Sequence, residues 1–413
     1  MPDQARTRTQ SWVLMVLIGL IGFSLLPGVI GTGPLLLLIR ADLALTYTQA
    51  GLILGTPPIV MGLMAVPATV IAARVGPIRA VGGGLFGLAV GTVLRAAAPD
   101  LLFLFTATVL LSVGAGICQP SVPVLIGHHF SRRRGLATGI YSSSITFGSM
   151  AGAMLTASFL LPLAGDFSWR GVFLVWGGLA FTTAAVWAWH GRRHPDRQSS
   201  VTTWSDYREV FLRSPFAWRI GLLFGAQGAI FYGFVSWAPA LYQEMGWTVA
   251  AAAVPVTAFT LAEIPAAFLF PALVDRTARR RNLLLAGVTL CIIGLVGLLS
   301  APASRPLLWA ITIGMGTGSI FGLTVTLAVD HFSPRRLPAA MGLVLTVGSI
   351  GASIGPIVLG TVRDWTGSYT GGFLACLAIA VVMAVLALGF QDPDRLTAAA
   401  AVPPDGGVKP RPL

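Results

Sequence analysis

Charged residues are scarce in this sequence. They make up 10% of its 413 residues, whereas soluble globular chains contain about 25%. Hydrophobic residues account for 55% of the chain, and the mean hydropathy is +0.80. This composition excludes an ordinary soluble domain and indicates that most of the polypeptide lies against lipid or against other apolar helices.

Cysteine is also rare. The three cysteines, Cys118, Cys291 and Cys376, lie in apolar segments without CxxC spacing, so we expect small core side chains rather than a disulfide framework or a metal site. A Walker A motif is missing, which excludes direct drive by ATP. The apolar segments hold no cluster of His, Asp or Glu that an intramembrane enzyme would need. We therefore expect neither an enzyme nor a cofactor.

Lysine is nearly absent as well. All but one of the 27 basic residues are arginines, the exception being Lys409, and the formal net charge is +12. These residues form short clusters between apolar segments, which is where membrane proteins collect positive charge on their inner side. The basic excess therefore does not predict a nucleic-acid partner.

Two stretches of the chain resemble each other at a separation of 202 residues. The sequence HFS at His129–Ser131 returns at His331–Ser333, and Arg74 corresponds to Arg276. One inserted residue later, three glycines also match: Gly139, Gly148 and Gly152 correspond to Gly342, Gly351 and Gly355. The chain therefore consists of two related halves.

Each half contains six apolar segments long enough to cross a bilayer. They lie at about 12–39, 46–72, 79–97, 101–127, 135–162, 170–190, 215–242, 249–273, 282–301, 306–330, 337–362 and 370–390. Uninterrupted apolar runs of this length must be helices, because a helix satisfies its own backbone in lipid. We predict an all-α polytopic membrane protein with twelve transmembrane helices in two pseudo-symmetric six-helix bundles.

The predicted divisions follow from these segments. Residues 1–10 form a cytoplasmic N-terminus, 11–190 the first bundle, 191–214 a polar cytoplasmic linker, 215–390 the second bundle, and 391–413 a disordered cytoplasmic tail rich in Pro, Gly and Ala. No cleavable signal peptide is expected, because the first apolar segment is too long.

Loop charges set the predicted orientation. With the N-terminus inside, most of the arginines fall in inner loops. The outer side then holds Arg40, Arg95, Arg170, Arg305 and Arg363. The sequence therefore predicts a multi-pass protein of the cytoplasmic (inner) membrane with both termini in the cytoplasm. No Lys or Arg is expected near the middle of a span.

Two six-helix halves with basic loops at matching positions resemble the major facilitator superfamily, over about residues 12–390. Narrower motifs resemble its cyanate and nitroimidazole porter branch: PGVIGTGPLLLLIRADLALT from Pro27, AQGAIFYGFVSWAPALYQEMGWT from Ala226, and RDWTGSYTGGF from Arg363. The resemblance implies a transporter that moves a small-molecule substrate across the lipid bilayer by alternating access of the two halves.

The chain departs from the family pattern at two places. Where the branch carries Asn-Leu-Arg-Pro in the first span, this chain has Ser24, Leu25, Leu26 and Pro27, so the basic group that would bind an anion is missing. The superfamily loop DRxGRR has lost its Asp in the first half, where Ala73 stands. The resemblance implies cytoplasmic gate loops at Arg74, Gly76, Asp275 and Arg276.

Glu263 is the one carboxylate that the sequence places inside a span. An ionised carboxylate in the membrane is costly, and an apolar setting favours its neutral form. We predict that Glu263 carries a proton or contacts the substrate; a structural hydrogen bond in the cleft is the alternative.

The candidate substrate-binding residues are polar and aromatic side chains in the spans. The resemblance implies that spans one, four, seven and ten line the cavity, and Tyr141 follows the loop between the fourth and fifth spans. The candidates are Gln119, Ser121, Tyr141, Gln227, Tyr232, Trp237, Thr317 and Phe321. Helix packing and interhelical hydrogen bonds are the alternative for this set, and a place in the interfacial aromatic belt is the alternative for Trp237. The prolines and glycines around Gln119 also predict an irregular fourth span.

The sequence thus predicts a proton-coupled secondary transporter, expected to act as a monomer, with protons as the coupling ion. A pocket of amides, hydroxyls and aromatic rings favours a small planar neutral, weakly acidic or zwitterionic solute. Efflux of hydrophobic drugs is the rival within the class. A membrane solute sensor without transport is the more distant alternative, because the linker and tail are short for a signalling domain.

Overall fold

The computed structural model describes residues 2–130, 134–165, 168–191, 204–277, 279–332 and 336–390. These residues form helices and no strands. In chain order the helices are α1 Pro2–Ser24, α2 Pro27–Ile30, α3 Thr32–Asp42, α4 Tyr47–Val75, α5 Pro77–Ala96, α6 Leu101–His129, α7 Arg134–Leu155, α8 Leu161–Ala164, α9 Ser168–Gly191, α10 Trp204–Arg213, α11 Pro215–Glu244, α12 Val249–Thr277, α13 Arg280–Ser300, α14 Pro306–His331, α15 Leu337–Thr366 and α16 Thr370–Leu388.

The described residues include twelve stretches long and apolar enough to cross a membrane. α1, α2 and α3 together form the first, and α7, α8 and the turn between them form the fifth. This confirms the predicted count and the helical fold class. The predicted tail, 391–413, lies outside the described residues. The polar N-terminal residues from Pro2 onward continue directly into the first span as one helix.

Polar side chains start several of these helices. Thr46 forms a capping box with Gln49 at the start of α4, and the Asp100 carboxylate accepts a hydrogen bond from the Phe103 amide at the start of α6. Such caps satisfy backbone N–H groups that have no partner inside the helix. They fix where the spans begin at the membrane surface.

The first span is interrupted, although the sequence predicted one continuous segment. α1 ends at Ser24, and Pro27 begins the short helix α2. Proline has no N–H to donate and its ring clashes with the preceding turn, which breaks a helix. A second change of direction falls at Gly31, where a Cβ atom would lie 2.7 Å from the Pro27 carbonyl oxygen. The PGVIG motif therefore encodes a break in the span.

The fourth span, predicted to be an irregular helix, remains one helix and contains two prolines that remove backbone donors. α6 runs continuously from Leu101 to His129 with Pro120 and Pro123 inside it. Pro123 cannot donate to the Gln119 carbonyl, and the Tyr141 hydroxyl of the next span donates to that oxygen instead, at 3.3 Å. A side chain from a neighbouring helix thus satisfies the backbone group that the proline leaves free.

The fifth span contains a π-helical turn, Thr156–Leu160, between α7 and α8. Pro162 lies just beyond it and removes a backbone donor from the helix. The Thr156 hydroxyl accepts a hydrogen bond of 2.9 Å from the indole nitrogen of Trp176 in α9. Turns of this kind are frequent at functional sites in helices.

The second and eleventh spans join the two halves by close backbone contact. A Cβ atom on Gly51 would lie 2.6 Å from the Pro356 oxygen, and one on Gly62 would lie 2.5 Å from the Ser349 Cβ. The Thr346 hydroxyl donates to the Gly62 carbonyl at 3.1 Å. Small residues let helix backbones approach in a membrane, where packing rather than hydrophobicity drives association.

The predicted polar linker contains a helix. In α10, Tyr207 and Val210 are buried against Ala339, Ala340 and Leu343 near the start of α15. The three-residue spacing places these two apolar side chains on one face of a helix. We call the side of the bundle where α11 begins and α16 ends the terminal face; there the Arg219 guanidinium donates to the Gly389 carbonyl at 2.6 Å. The opposite side is the far face.

Candidate functional site

A cluster of charged and aromatic side chains joins the two halves at the far face. The Glu244 carboxylate, at the end of α11, accepts hydrogen bonds from the Tyr47 hydroxyl at 2.8 Å and from the Tyr369 hydroxyl at 3.0 Å. It also pairs with the Arg363 guanidinium at 2.7 Å. Burial, and then the Glu244 carboxylate, raise the pKa of Tyr369, so its hydroxyl remains a donor.

Asp364 caps a helix of the other half. Its carboxylate accepts hydrogen bonds from the backbone amides of Tyr47 and Thr48, at 3.0 and 2.7 Å, and from the Thr48 hydroxyl at 2.6 Å. Those amides are the first in α4, where the helix dipole favours a negative charge. A carboxylate of the second half therefore fixes the start of a helix in the first half.

Trp237 belongs to this cluster. Its side chain is fully buried, its indole nitrogen donates to the Pro356 carbonyl at 2.9 Å, and its ring lies 6.0 Å from that of Tyr47. This placement excludes the interfacial belt as its position. It also brings Trp237 to the contact between α11 and α15 at the far face.

We expect Asp364→Asn to open the far face. An asparagine offers one acceptor oxygen in place of two, and its NH₂ group opposes the Tyr47 and Thr48 amides. Losing about 1.5 kcal/mol from the closed contact shifts the ratio of closed to open forms roughly tenfold. Pulsed electron-spin distances between labels on Leu163 and Arg305, two exposed far-face positions, should lengthen.

Asp100→Asn is the matched control for this experiment. Asp100 caps α6 at the same face, but its contact stays inside one half. An equal lengthening in both variants would show that the Asp364 contact does not hold the halves together.

Glu263 lies half-buried in α12 between helices of the second half. Its carboxyl group is close to the Thr317 hydroxyl of α14 and within electrostatic reach of the Tyr232 hydroxyl of α11. A Cβ atom on Gly318 would lie 2.5 Å from the Glu263 carbonyl oxygen, so the two backbones touch here. Glu263 and Thr317 therefore lie side by side on two packed spans, and Tyr232 on a third span is within electrostatic reach.

The other predicted residues occupy different environments. Gln227 is buried in α11, and Phe321 is exposed, with its ring 5.8 Å from that of Phe224. Ser121 is fully buried, and its hydroxyl donates to the Ile117 carbonyl of its own helix at 2.6 Å. Gln119 is exposed, while Tyr141 is buried and donates to the Gln119 carbonyl. A substrate role for these residues stays a prediction.

The predicted gate loops lie at the terminal face. Gly76 connects α4 and α5 with φ of 93°, a conformation that glycine adopts readily. Arg74 and Arg276 are exposed. The side chain of Asp275 lies outside the described residues. The gating role of these four residues stays a prediction.

Arg95, which the loop charges place on the outer side, is buried in the structure rather than exposed at a membrane surface. It lies in the last turn of α5 and is 1% exposed. Its guanidinium donates to the Gly28 carbonyl at 2.7 Å and to the Thr32 hydroxyl at 2.8 Å, and it lies 4.1 Å from the Phe173 ring. The buried Arg95 guanidinium therefore binds residues on both sides of Gly31 in the first span.

Among the described residues, the Arg95 guanidinium has only neutral hydrogen-bond partners, and its Nε atom has no partner. A signal for its burial was present in the sequence. Leu85, Leu88, Thr92 and Arg95 recur at helical spacing, and the first three are core positions of α5. The pattern was overlooked because a charge near the end of a span is ordinarily assigned to the membrane surface.

Comparison with known proteins identifies the family to which this twelve-span architecture belongs. The chain matches the Major Facilitator Superfamily over residues 12–256 and 241–412. It belongs to the Major Facilitator Superfamily. The superfamily consists of transporters rather than enzymes, and the chain is accordingly a multi-pass membrane transporter of small molecules.

Three bacterial relatives cover most of the chain. It is 30% identical to the uncharacterized transporter YycB of Bacillus subtilis, over 94% of this chain and 96% of the relative. It is 30% identical to the cyanate transport protein CynX of Escherichia coli, over 86% and 91% respectively. It is 27% identical to the 2-nitroimidazole transporter of Escherichia coli, over 87% and 90%. These matches confirm the predicted branch resemblance.

Solved structures share the fold. A bacterial homologue of the human lysosomal transporter Spinster, in an inward-facing and unoccupied conformation, superposes with a TM-score of 0.79 at 19% identity, covering 92% of this chain and 96% of that one. The nucleoside transporter NupG superposes with a TM-score of 0.76 at 12% identity, covering 92% and 100%. At these identities the likeness concerns the fold alone.

Proposed function

We propose that this chain is a secondary active transporter that moves a small planar solute by alternating access, coupled to protons through Glu263. The observation that carries the proposal is the position of Glu263 beside Thr317 and within electrostatic reach of Tyr232, on three spans of the second half. A carboxyl group held among hydroxyls inside a membrane protein can bind and release a proton as its surroundings change.

The far-face cluster supports alternating access. Two contacts close one side by hydrogen bonds that cross between the halves: Tyr47 to Glu244, and the Tyr47 and Thr48 amides to Asp364. The ion pair of Arg363 with Glu244 lies within the second half and orients the Glu244 carboxylate. The two crossing contacts break together when the halves rock apart, because each depends on one helix from each half. With both termini in the cytoplasm, as the loop charges predict, the closed side faces outward. The protein then lies in the cytoplasmic membrane in an inward-facing conformation.

The groups around Glu263 favour a substrate without strong charge. The hydroxyl and the ring of Tyr232 offer a hydrogen bond and a stacking surface, whereas the Thr317 hydroxyl is buried and donates to the Ile313 and Gly314 carbonyls of its own helix. Leu26 supplies no charge where the branch carries an arginine, and Arg95 is turned toward Gly28 and Thr32. Neutral, weakly acidic or zwitterionic planar solutes therefore fit better than a strong anion. The named substrates of two relatives, cyanate and 2-nitroimidazole, are both small.

Uptake into proteoliposomes tests this function. We expect one member of a panel of cyanate, 2-nitroimidazole and small planar acids to accumulate, several-fold faster with an inward proton gradient than without one. Empty liposomes and liposomes whose gradient is collapsed by an ionophore serve as controls. Extrusion of hydrophobic dyes without uptake of any panel member would favour the efflux rival, to which the exposed Phe321 ring beside Phe224 would then contribute.

A further inference from the structure

A polar cavity of about 350 Å³ lies at the terminal face, between the linker helix α10 and the second half. Its walls include Glu209, Arg213, His331 and Arg336. None of these residues belongs to the transport site or to the far-face cluster. The cavity therefore needs an explanation of its own.

The cavity carries a net positive charge. Arg336 is neutralised by Glu209, since their side chains pair at 2.8 Å. Arg213 is exposed and forms no hydrogen bond or ion pair with any residue that the structure describes. The Arg213 guanidinium therefore has unused N–H donors at the cavity wall. The neighbouring Arg336 guanidinium also has donors beyond the one that binds Glu209.

His331 is held in place at the same wall. Its ring stacks on Phe216 with centroids 3.7 Å apart, and the edge of the Phe332 ring lies 5.0 Å away. Stacking on Phe216 and the edge contact with Phe332 restrict the orientation of the imidazole ring. A fixed imidazole N–H can donate to an anion beside the two guanidiniums.

Two helices also begin at this wall. Ser214 lines the cavity and caps α11, and Arg336 precedes the first residue of α15. The amino-terminal end of a long helix favours negative charge. The helix ends add to the field of Arg213, so an oxyanion is the ligand that this arrangement fits.

The surroundings of the cavity are those of a membrane surface. Leu212, adjacent to Arg213, is 71% exposed, and Trp218 is 42% exposed with its indole nitrogen bonded to the Phe211 carbonyl at 2.8 Å. Apolar and indole side chains next to arginines are typical of the bilayer interface. Basic pockets between spans on the inner side are known as sites for lipid head groups.

We propose that Arg213, Arg336 and His331 form a binding site for the phosphate group of an anionic phospholipid. The bound head group fixes the carboxyl end of α10 against the starts of α11 and α15. The same helix carries Tyr207, whose hydroxyl lies 3.2 Å from that of Thr69 in α4 of the other half and whose ring borders Gly342 in α15. Lipid binding therefore stabilises the linker where it contacts both halves.

The test uses the full-length purified protein and two lipids of equal chain length, phosphatidylglycerol and phosphatidylcholine. We expect phosphatidylglycerol to raise the melting temperature above the value in phosphatidylcholine and to remain bound in native mass spectrometry. Arg213→Gln should weaken its binding about tenfold or more, because a charge-assisted contact is lost. The melting temperature without lipid should not change, since Arg213 is exposed and forms no hydrogen bond or ion pair with any described residue.

Arg208→Gln is the matched control. Arg208 is exposed on the same helix and does not line the cavity, so its loss should leave lipid binding unchanged. Because Arg336→Gln would free Glu209, it is paired with Glu209→Gln in a double variant, which should also weaken phosphatidylglycerol binding.

Three outcomes would overturn the proposal. Equal stabilisation by the two lipids would remove the head group as the ligand. Equal loss in Arg208→Gln and Arg213→Gln would show a diffuse charge effect rather than a site. The same melting shift with inorganic phosphate alone, at the same variants, would keep the phosphate site but assign it to a free anion rather than a lipid.

Discussion

Arg95→Met is expected to lower the transport rate ten- to a hundredfold while the protein still folds. The guanidinium ties Gly28 and Thr32, which lie on either side of the turn at Gly31. Hydrogen bonds from a charged group are each worth about 1.5–3 kcal/mol, and 1.4 kcal/mol corresponds to a factor of ten. Without them, the two parts of the first span lose their fixed relation to α5.

Folding should survive this substitution for two reasons. Methionine has a similar length and no charge, so it removes the cost of burying a cation that has no carboxylate partner among the described residues. The Gly28 carbonyl also keeps a partner, because the Thr32 hydroxyl donates to it at 3.2 Å. The melting temperature of the purified variant checks this expectation.

Two further variants define the reason for the loss. Arg95→Lys keeps the charge but lacks the planar pair of donors, and should lie between wild type and Arg95→Met. Arg305→Met removes an exposed arginine at the same face and should transport normally. Wild-type transport by Arg95→Met would show that the buried arginine only fills space.

The sequence predicted the number and type of the spans because lipid imposes one rule on every segment. A long apolar run must be a helix, and the repeat at His129 and His331 counted the segments a second time. The meeting of Glu263 with Thr317 was half predicted. Both were singled out as polar residues in spans, but nothing in their 54-residue separation indicated contact.

Contacts between the halves could not be predicted in this way. Tyr47 and Asp364 are separated by 317 positions, and their contact depends on the angle between two bundles. Trp237 illustrates the same difficulty, since an indole in a span suits a pocket, a membrane surface or a buried contact equally well. The burial of Arg95 could not be predicted either, because it depends on the Gly28 carbonyl and the Thr32 hydroxyl of another span lying against the end of α5.

Glu263→Gln is expected to abolish accumulation of substrate driven by a proton gradient and to leave exchange of substrate across the membrane intact. Glutamine has nearly the same shape and can hydrogen-bond to Thr317, so the contacts between α12 and α14 should persist. It cannot bind and release a proton, so the proton gradient can no longer drive the transport cycle. Exchange needs the halves to move with substrate bound and does not need a net proton.

Proteoliposomes give both readouts from one preparation. Uptake with an inward proton gradient should fall in Glu263→Gln to the level seen without a gradient, and counterflow into substrate-loaded vesicles should stay within about twofold of wild type. Glu209→Gln, which removes a carboxylate from the surface of the linker helix, should keep both activities. Unchanged gradient-driven uptake, with an unchanged pH profile, would exclude Glu263 as the proton carrier. Loss of counterflow as well would instead assign Glu263 to substrate binding, because a pure carrier of protons is not required when substrate exchanges for substrate.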